Sequence, residues 1–187
     1  MQGHFVASDG FAFTAMPENI VVSTTETGVK LVWDNVATAK SYTVYSKNID
    51  DSGSWTKIGV SDANILVDNI SGIGGSRIYT VRAEGEKSRG SYSGSGVVYF
   101  NPEAPELTVT GENGKYTIFW NAVEGADNYA VYKKVDGGEW TLMDTTSANS
   151  CEDELAEDGI YSYSVVALKG AMRGMFDDIG YSVTYVK

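Results

Sequence analysis

The chain has 187 residues, 42% of them hydrophobic, with 25 acidic against 14 basic residues and a net charge of −11. That balance disfavours nucleic acid and anionic membrane surfaces as partners. A single cysteine excludes an intramolecular disulfide, and no apolar run approaches the ~20 residues that span a bilayer.

The N-terminal residues Met1-Gln-Gly-His-Phe-Val lack the basic region and apolar stretch of a signal peptide. Residues 10–16 read as an extended segment with Phe11 and Phe13 on one face, packed on something. Residues 1–16 are either an N-terminal arm or the last strand of an upstream repeat. Pro17 opens the next stretch. Val29, Leu31 and Trp33 then alternate with Lys30 and Val32, and Tyr42 shares a face with Val44. A loop containing Asp51-Ser-Gly leads to Trp55. Tyr79, Val81 and Ala83 form one face of a late strand, and Gly96-Val-Val-Tyr-Phe closes the series. Alternation on a period of two marks half-buried antiparallel strands, and the Gly- and Asp-rich stretches between them mark turns. No convincing helix is found.

After a short bridge holding Pro102 and Pro105, the series returns. Trp33, Val36, Tyr42, Val44 and Tyr45 recur as Trp120, Val123, Tyr129, Val131 and Tyr132, displaced by 87 residues. Trp55 and Asp68 recur as Trp140 and Asp153, displaced by 85. Tyr79, Ala83, Arg89, Gly90 and Gly96 recur as Tyr163, Ala167, Arg173, Gly174 and Gly180, displaced by 84. The offset shrinks where loops lie, and the loop 47–54 is the longer one. One small domain has been duplicated in tandem, with copies at 17–101 and 102–187.

The spacing Trp33-x-x-Val36-x-x-Ala39-x-x-Tyr42-x-Val44-Tyr45, repeated from Trp120 to Tyr132, resembles bacterial fibronectin type III domains. So do the Gly-x-Trp segments ending on Trp55 and Trp140, and the Tyr-x-Val-x-Ala strands from Tyr79 and Tyr163. The resemblance implies an all-β fold of two tandem seven-stranded fibronectin type III-like, immunoglobulin-like β-sandwiches. It also implies a tyrosine corner, which Tyr161 fits in the second copy, whereas Arg77 stands there in the first.

Chemistry is sparse. His4 is the sole histidine, so neither a catalytic triad nor a transition-metal site has the side chains it needs. The acidic doublets Asp50-Asp51, Glu152-Asp153-Glu154, Glu157-Asp158 and Asp177-Asp178 lack the spacing of a calcium loop and read as solvated turn carboxylates. Cys151 takes the place of Leu66 and reads as a small buried hydrophobe. Trp33 and Trp120 read as core. Trp55 and Trp140 read as cover for one edge of the core, with a stacking platform as the rival role, and Tyr45 and Tyr132 point outward beside them. Met175-Phe176 reads as an apolar loop tip.

No catalytic, cofactor-binding or metal-binding residue is assigned, and binding residues are unknown. The expected function is a non-catalytic spacer, adhesion or interaction module of a bacterial surface or secreted protein, with a protein or polysaccharide partner. The alternatives are a bacteriophage virion protein that assembles through residues 1–16, and a carbohydrate-binding module.

Overall fold

A computed structural model describes residues 13–25, 27–50, 52–69 and 75–187. Every regular element among them is a strand. The first seven are β1 (Val21–Thr25), β2 (Gly28–Val32), β3 (Ser41–Asn48), β4 (Thr56–Ser61), β5 (Ile65–Asp68), β6 (Gly75–Glu84) and β7 (Val97–Asn101). They make a three-stranded sheet in the order β1-β2-β5 and a four-stranded sheet in the order β4-β3-β6-β7. The next eight are β8 (Leu107–Glu112), β9 (Lys115–Trp120), β10 (Asn128–Val135), β11 (Thr141–Thr146), β12 (Ser150–Glu154), β13 (Gly159–Lys169), β14 (Met172–Arg173) and β15 (Tyr181–Tyr185). Their sheets repeat the plan: β12-β9-β8, and β11-β10-β13 with β14 and β15 both on β13. The extra strand β14 is the pairing of Leu168 with Arg173, which the first copy reduces to a single bridge between Glu84 and Arg89. The chain divides into two compact units, one around Trp33 and one around Trp120. Three strands against four, in this order, is a fibronectin type III-like sandwich, and the chain contains it twice.

The alternation read from the sequence places the core. Val29, Leu31, Trp33, Tyr42, Val44, Tyr79, Val81 and Ala83 are buried, as are Ile118, Trp120, Tyr129, Val131, Tyr163, Val165 and Ala167. Trp33 meets Tyr42 edge-on with ring centroids 5.3 Å apart, and Trp120 meets Tyr129 likewise at 5.5 Å. Each tyrosine also closes the turn before its strand. Val36 N donates to Tyr42 Oη at 2.8 Å, and Val123 N to Tyr129 Oη at 2.9 Å.

Turn chemistry follows sequence. Asn113 and Gly114 join β8 to β9 with φ of 53° and 79°, the left-handed pair that a two-residue hairpin loop requires. The longer loop of the first copy spans residues 49–55 between β3 and β4, against 136–140 between β10 and β11. Both hairpins carry a bulge at the same place: the register shifts between Val44 and Tyr45, and between Val131 and Tyr132. Ile58 and Met143 are the extra residues opposite. The Ile or Met that follows each Gly-x-Trp segment is thus a bulge residue, which bends the edge strand.

Two expectations need correction. Strand β13 is not half-buried, because outward Ser162, Ser164 and Val166 are buried along with the inward set. The second is the N-terminal segment. Phe11 lies outside the described residues, and Phe13 is 78% exposed while Thr14 is only 1% exposed. Thr14 Oγ1 sits 2.5 Å from Ser88 Oγ, and so close to Gly85 that a Cβ there would come within 2.5 Å of it.

The tyrosine corner is present in the second copy. Tyr161 Oη donates to Glu157 O at 2.8 Å. In the first copy Arg77 holds the equivalent place, and residues 70–74 of that loop lie outside the described residues. Tyr161→Phe removes one partly buried hydrogen bond and is expected to destabilise the second sandwich by about 0.5–1.5 kcal/mol. Urea unfolding followed by tryptophan fluorescence measures this, and an unchanged midpoint removes the corner's role.

Candidate functional site

The aromatic residues that sequence singles out converge on one face, the outer side of the larger sheet in each copy. Inward Tyr42 and Val44 leave Thr43, Tyr45 and Lys47 facing out from β3. On this face Tyr45 stacks on Tyr92 at 5.7 Å, and Trp55 meets Tyr92 edge-on at 6.2 Å. Lys47 Nζ lies 4.6 Å from the centroid of Trp55. The second copy rebuilds the group. Tyr132 and Trp140 each meet Phe176 edge-on, at 5.2 and 5.4 Å, and Lys134 Nζ lies 4.3 Å from Trp140. Lys47 reaches Gly94 O at 3.5 Å, and Lys134 reaches Asp178 O at 3.0 Å.

These contacts make a lock rather than a platform. A sugar stacks on an open aromatic face, and here an ammonium occupies a face of each indole. The ring edge is held as well. A Cβ on Gly96 would come within 2.8 Å of Trp55 Cη2, and one on Gly180 within 2.7 Å of Trp140 Cη2. Both glycines have positive φ, 64° and 71°. The indole therefore lies over the glycine that begins the last strand, as the edge-cover reading of Trp55 and Trp140 expects. Phe176 is not a free tip but the closing ring of the second lock. Tyr92 is its counterpart in the first, 84 residues earlier, and sequence reasoning overlooked it although the repeat offset points to it.

The first copy adds a polar layer. Arg82 lies against both Tyr45 and Tyr92, its Cζ 5.2 and 5.7 Å from the two centroids, and it donates to Tyr45 Oη. Arg82 Nε donates to Glu84 Oε1 at 3.0 Å, as does Thr43 Oγ1, and Arg89 Nε donates to Glu84 Oε2 at 2.9 Å. Burial works to raise the Glu84 pKa, but these donors outweigh it and hold the carboxyl below its ordinary value.

The acidic doublets divide. Asp50 accepts from Ser52 N at 2.8 Å, and bonds from the Ser52 side chain and backbone hold its carboxyl below the ordinary value. Asp158 Oδ1 accepts from Lys187 N at 2.8 Å, and Asp177 Oδ1 from Ile179 N at 2.9 Å. The Asp50 and Asp177 carboxylates close turns, and Asp158 holds the backbone of the C-terminal residue. Asp153 differs from the expected solvated turn residue. It reaches across the sandwich from β12, accepts from Tyr163 Oη at 2.8 Å, and pairs with Lys133 Nζ at 2.9 and 3.0 Å. Burial and the neighbouring Asp153 carboxylate push the Tyr163 hydroxyl up. A shallow depression of about 340 Å³ lies over this place, lined by Lys115, Tyr116, Thr117, Glu152, Asp153 and Glu154. Its most buried carboxylate is already engaged. Among the described residues no group of three His, Cys, Asp or Glu is placed to hold a metal ion. Among the described residues no helix is long and apolar enough to cross a membrane.

Cys151 is half-buried rather than buried. Its Sγ lies 3.7 Å from Asp144 Oδ2, close enough for a weak S–H donation. Burial, and then the Asp144 carboxylate, raise the thiol from 9.0 to about 11. A thiol held protonated in this way is a weak nucleophile near neutral pH, for an electrostatic rather than a packing reason.

No family model matches the sequence, and no curated protein matches it. Among solved structures the chain is similar to the two-fibronectin-type-III-domain segment of chicken tenascin. The identity is 17%, the match covers 92% of this chain and 99% of that one, and the TM-score is 0.49. It is also similar to the FN1–FN3 domains of chicken CNTN1, at 15% identity, 94% and 68% coverage and a TM-score of 0.39.

Two outcomes test these assignments. Gly180→Ala places a methyl against Trp140 at a positive φ and is expected to destabilise the second sandwich by about 1–3 kcal/mol. Differential scanning calorimetry reads this, and no loss would remove the lock. For Cys151, the native thiol keeps its proton longer than the unfolded one. Its contribution to stability is complete below pH 9.0 and is lost as pH rises through about 11. Iodoacetamide alkylation of the native chain should show its rate inflection near pH 11, and that of the chain in urea near 9.0. Coincident inflections would overturn the assignment.

Proposed function

We propose that the chain is a non-catalytic spacer or adhesion module of a bacterial surface or secreted protein, built of two sandwiches at 17–101 and 102–187. One observation carries this reading. The residues shared by the two copies perform the same folding task in each. Trp33 and Trp120 fill the cores. Tyr42 and Tyr129 close the turns. Trp55 and Trp140 lie over Gly96 and Gly180. Tyr79 and Tyr163 donate to Asp68 and Asp153 at 2.8 Å. A duplicated active or binding site would repeat reactive or open groups, whereas these are engaged with one another.

The same contacts weigh against the carbohydrate-binding alternative, because the four rings nearest a platform are partly occupied by Lys47, Lys134 and their neighbours. What remains to be recognised from outside is surface. A protein or polysaccharide partner on a cell surface is the chemistry this reading supports, since a net charge of −11 repels nucleic acid and anionic lipid.

Single-molecule pulling on the full chain is the direct test. A spacer of two autonomous modules unfolds in two steps, each releasing on the order of 250–300 Å of chain for roughly 85 residues. A single step overturns the two-module reading. A glycan array probed with the full chain completes the test. Binding that Trp140→Ala abolishes, with the melting transition of the second sandwich intact, would replace the spacer reading with a carbohydrate-binding one.

A further inference from the structure

Residues 13–16 lie outside the first repeat as sequence defines it, yet they are seated on it. Thr14 is 1% exposed, and its Oγ1 is 2.5 Å from Ser88 Oγ. Thr38 Oγ1 donates to Phe13 O at 3.4 Å. The seat is made of glycine. A Cβ on Gly90 would come within 2.7 Å of Ala15 O and 3.2 Å of Thr14 O, and one on Gly85 within 2.5 Å of Thr14 Oγ1.

The second sandwich has the same seat, and there its occupant is the bridge between the copies. Met175 N donates to Pro102 O at 2.8 Å, and Pro102 is buried. A Cβ on Gly174 would meet Pro102 O at 2.9 Å, Cγ at 3.0 Å and Cδ at 3.2 Å. The correspondence is one of position as well as kind. Gly90 and Gly174 differ by the 84 residues of the late-strand repeat, and Ala15 and Pro102 differ by the 87 of the early one.

We infer that each sandwich folds with four residues of the preceding chain as an integral strap: residues 13–16 for the first copy, and their counterparts 100–103, which start on the last two residues of β7, for the second. The strap sits on the segment after β6 or β13, just before the residue that completes the aromatic lock. Ser88, against the strap, is four residues from Tyr92, and Met175, which donates to it, adjoins Phe176. A connector docked here holds the loop that lays Tyr92 or Phe176 over its sheet. The inference does not depend on the spacer reading, since it concerns where each folding unit begins.

Backbone hydrogen exchange of the full chain, read by mass spectrometry on β6 and β13 separately, tests it. The reference is the chain beginning at Phe13. Beginning at Pro17 instead should cut protection of β6 by about fivefold or more and leave β13 unchanged. Thr14→Val in the full-length chain, which keeps shape and removes the hydroxyl, should act in the same direction on β6. Gly174→Ala should do the mirror image, lowering β13 and sparing β6, because the three atoms nearest its new methyl all belong to Pro102. Should the chain beginning at Pro17 fail to fold, Thr14→Val decides. Unchanged protection in β6 on removing residues 13–16 or on Thr14→Val, or in β13 on Gly174→Ala, overturns the inference.

Discussion

In each sandwich of roughly 85 residues the edge contact of Trp33 with Tyr42, or Trp120 with Tyr129, joins the two sheets. The tryptophan lies at the end of β2 or β9 in the three-stranded sheet, and the tyrosine near the start of β3 or β10 in the facing sheet. Burying an indole removes about 150–250 Å² from water, worth on the order of 4–6 kcal/mol at the usual 25 cal/mol per Å². Against this, Trp33 Nε1 and Trp120 Nε1 are buried without a hydrogen-bond partner among the described residues. An orphaned donor costs about 1–3 kcal/mol, so the ring's area decides the balance. The tyrosine hydroxyl meanwhile takes up Val36 N or Val123 N and so fixes the turn that brings its strand to the tryptophan. Core and turn are specified by one pair of residues.

That coupling explains what could be read from sequence. Residues facing a core alternate strictly, because a one-residue slip would turn every side chain to water. Hence Val29, Leu31, Trp33, Tyr79, Val81 and Ala83 were legible in a single copy, and the second copy repeats them. The outer faces were not, because what covers a sheet's outside is a loop, and loop placement has no period. Ser162, Ser164 and Val166 look like a solvated face in sequence and are buried. Phe13 and Thr14 mislead for a related reason: the seat on Gly85 and Gly90 selects for small size, whereas a hydrophobicity pattern selects for the phenyl ring. Tyr92 and the Lys133–Asp153 pair escaped for want of neighbours in sequence. Asp153 looked like one of three carboxylates at a strand end, and only the approach of β10 and β13 from the facing sheet makes it an ion-pair partner.

The two outer faces show how far one backbone tolerates opposite chemistry. Where the first copy has Thr43, Arg82 and Glu84, the repeat offsets place Ala130, Val166 and Leu168 in the second. One solution is a polar network in which Glu84 accepts from three side chains. The other is an apolar layer, with Ala130 at 5% and Val166 at 0% exposure. Both are capped by the same ring, Tyr92 or Phe176. A buried charge is tolerable only if its hydrogen bonds are complete, so the polar version demands Thr43, Arg82 and Arg89 together, while the apolar version demands only volume. Tyrosine at position 92 fits the first because Arg82 lies over its ring face, and phenylalanine at position 176 suffices where no cation lies beneath.

The inner polar contact follows the same logic with a different outcome. Tyr79 donates to Asp68 and Tyr163 to Asp153, so both cores contain a hydroxyl bonded to a carboxylate from the opposite sheet. The second adds Lys133, where the first has Ser46, 5% exposed. Lysine here must reach the carboxylate from the inward face of β10, and its stem then covers apolar surface that the smaller serine leaves to its neighbours. The ammonium neutralises Asp153 where the side chain is only 10% exposed, a depth at which an unpaired carboxylate would be costly. A salt bridge at such a site contributes little net stability over a well-packed apolar pair, but removing either partner alone is severe. The pair therefore fixes how the sheets of the second sandwich register against each other more than it strengthens them, and the Trp120–Tyr129 contact supplies the strength.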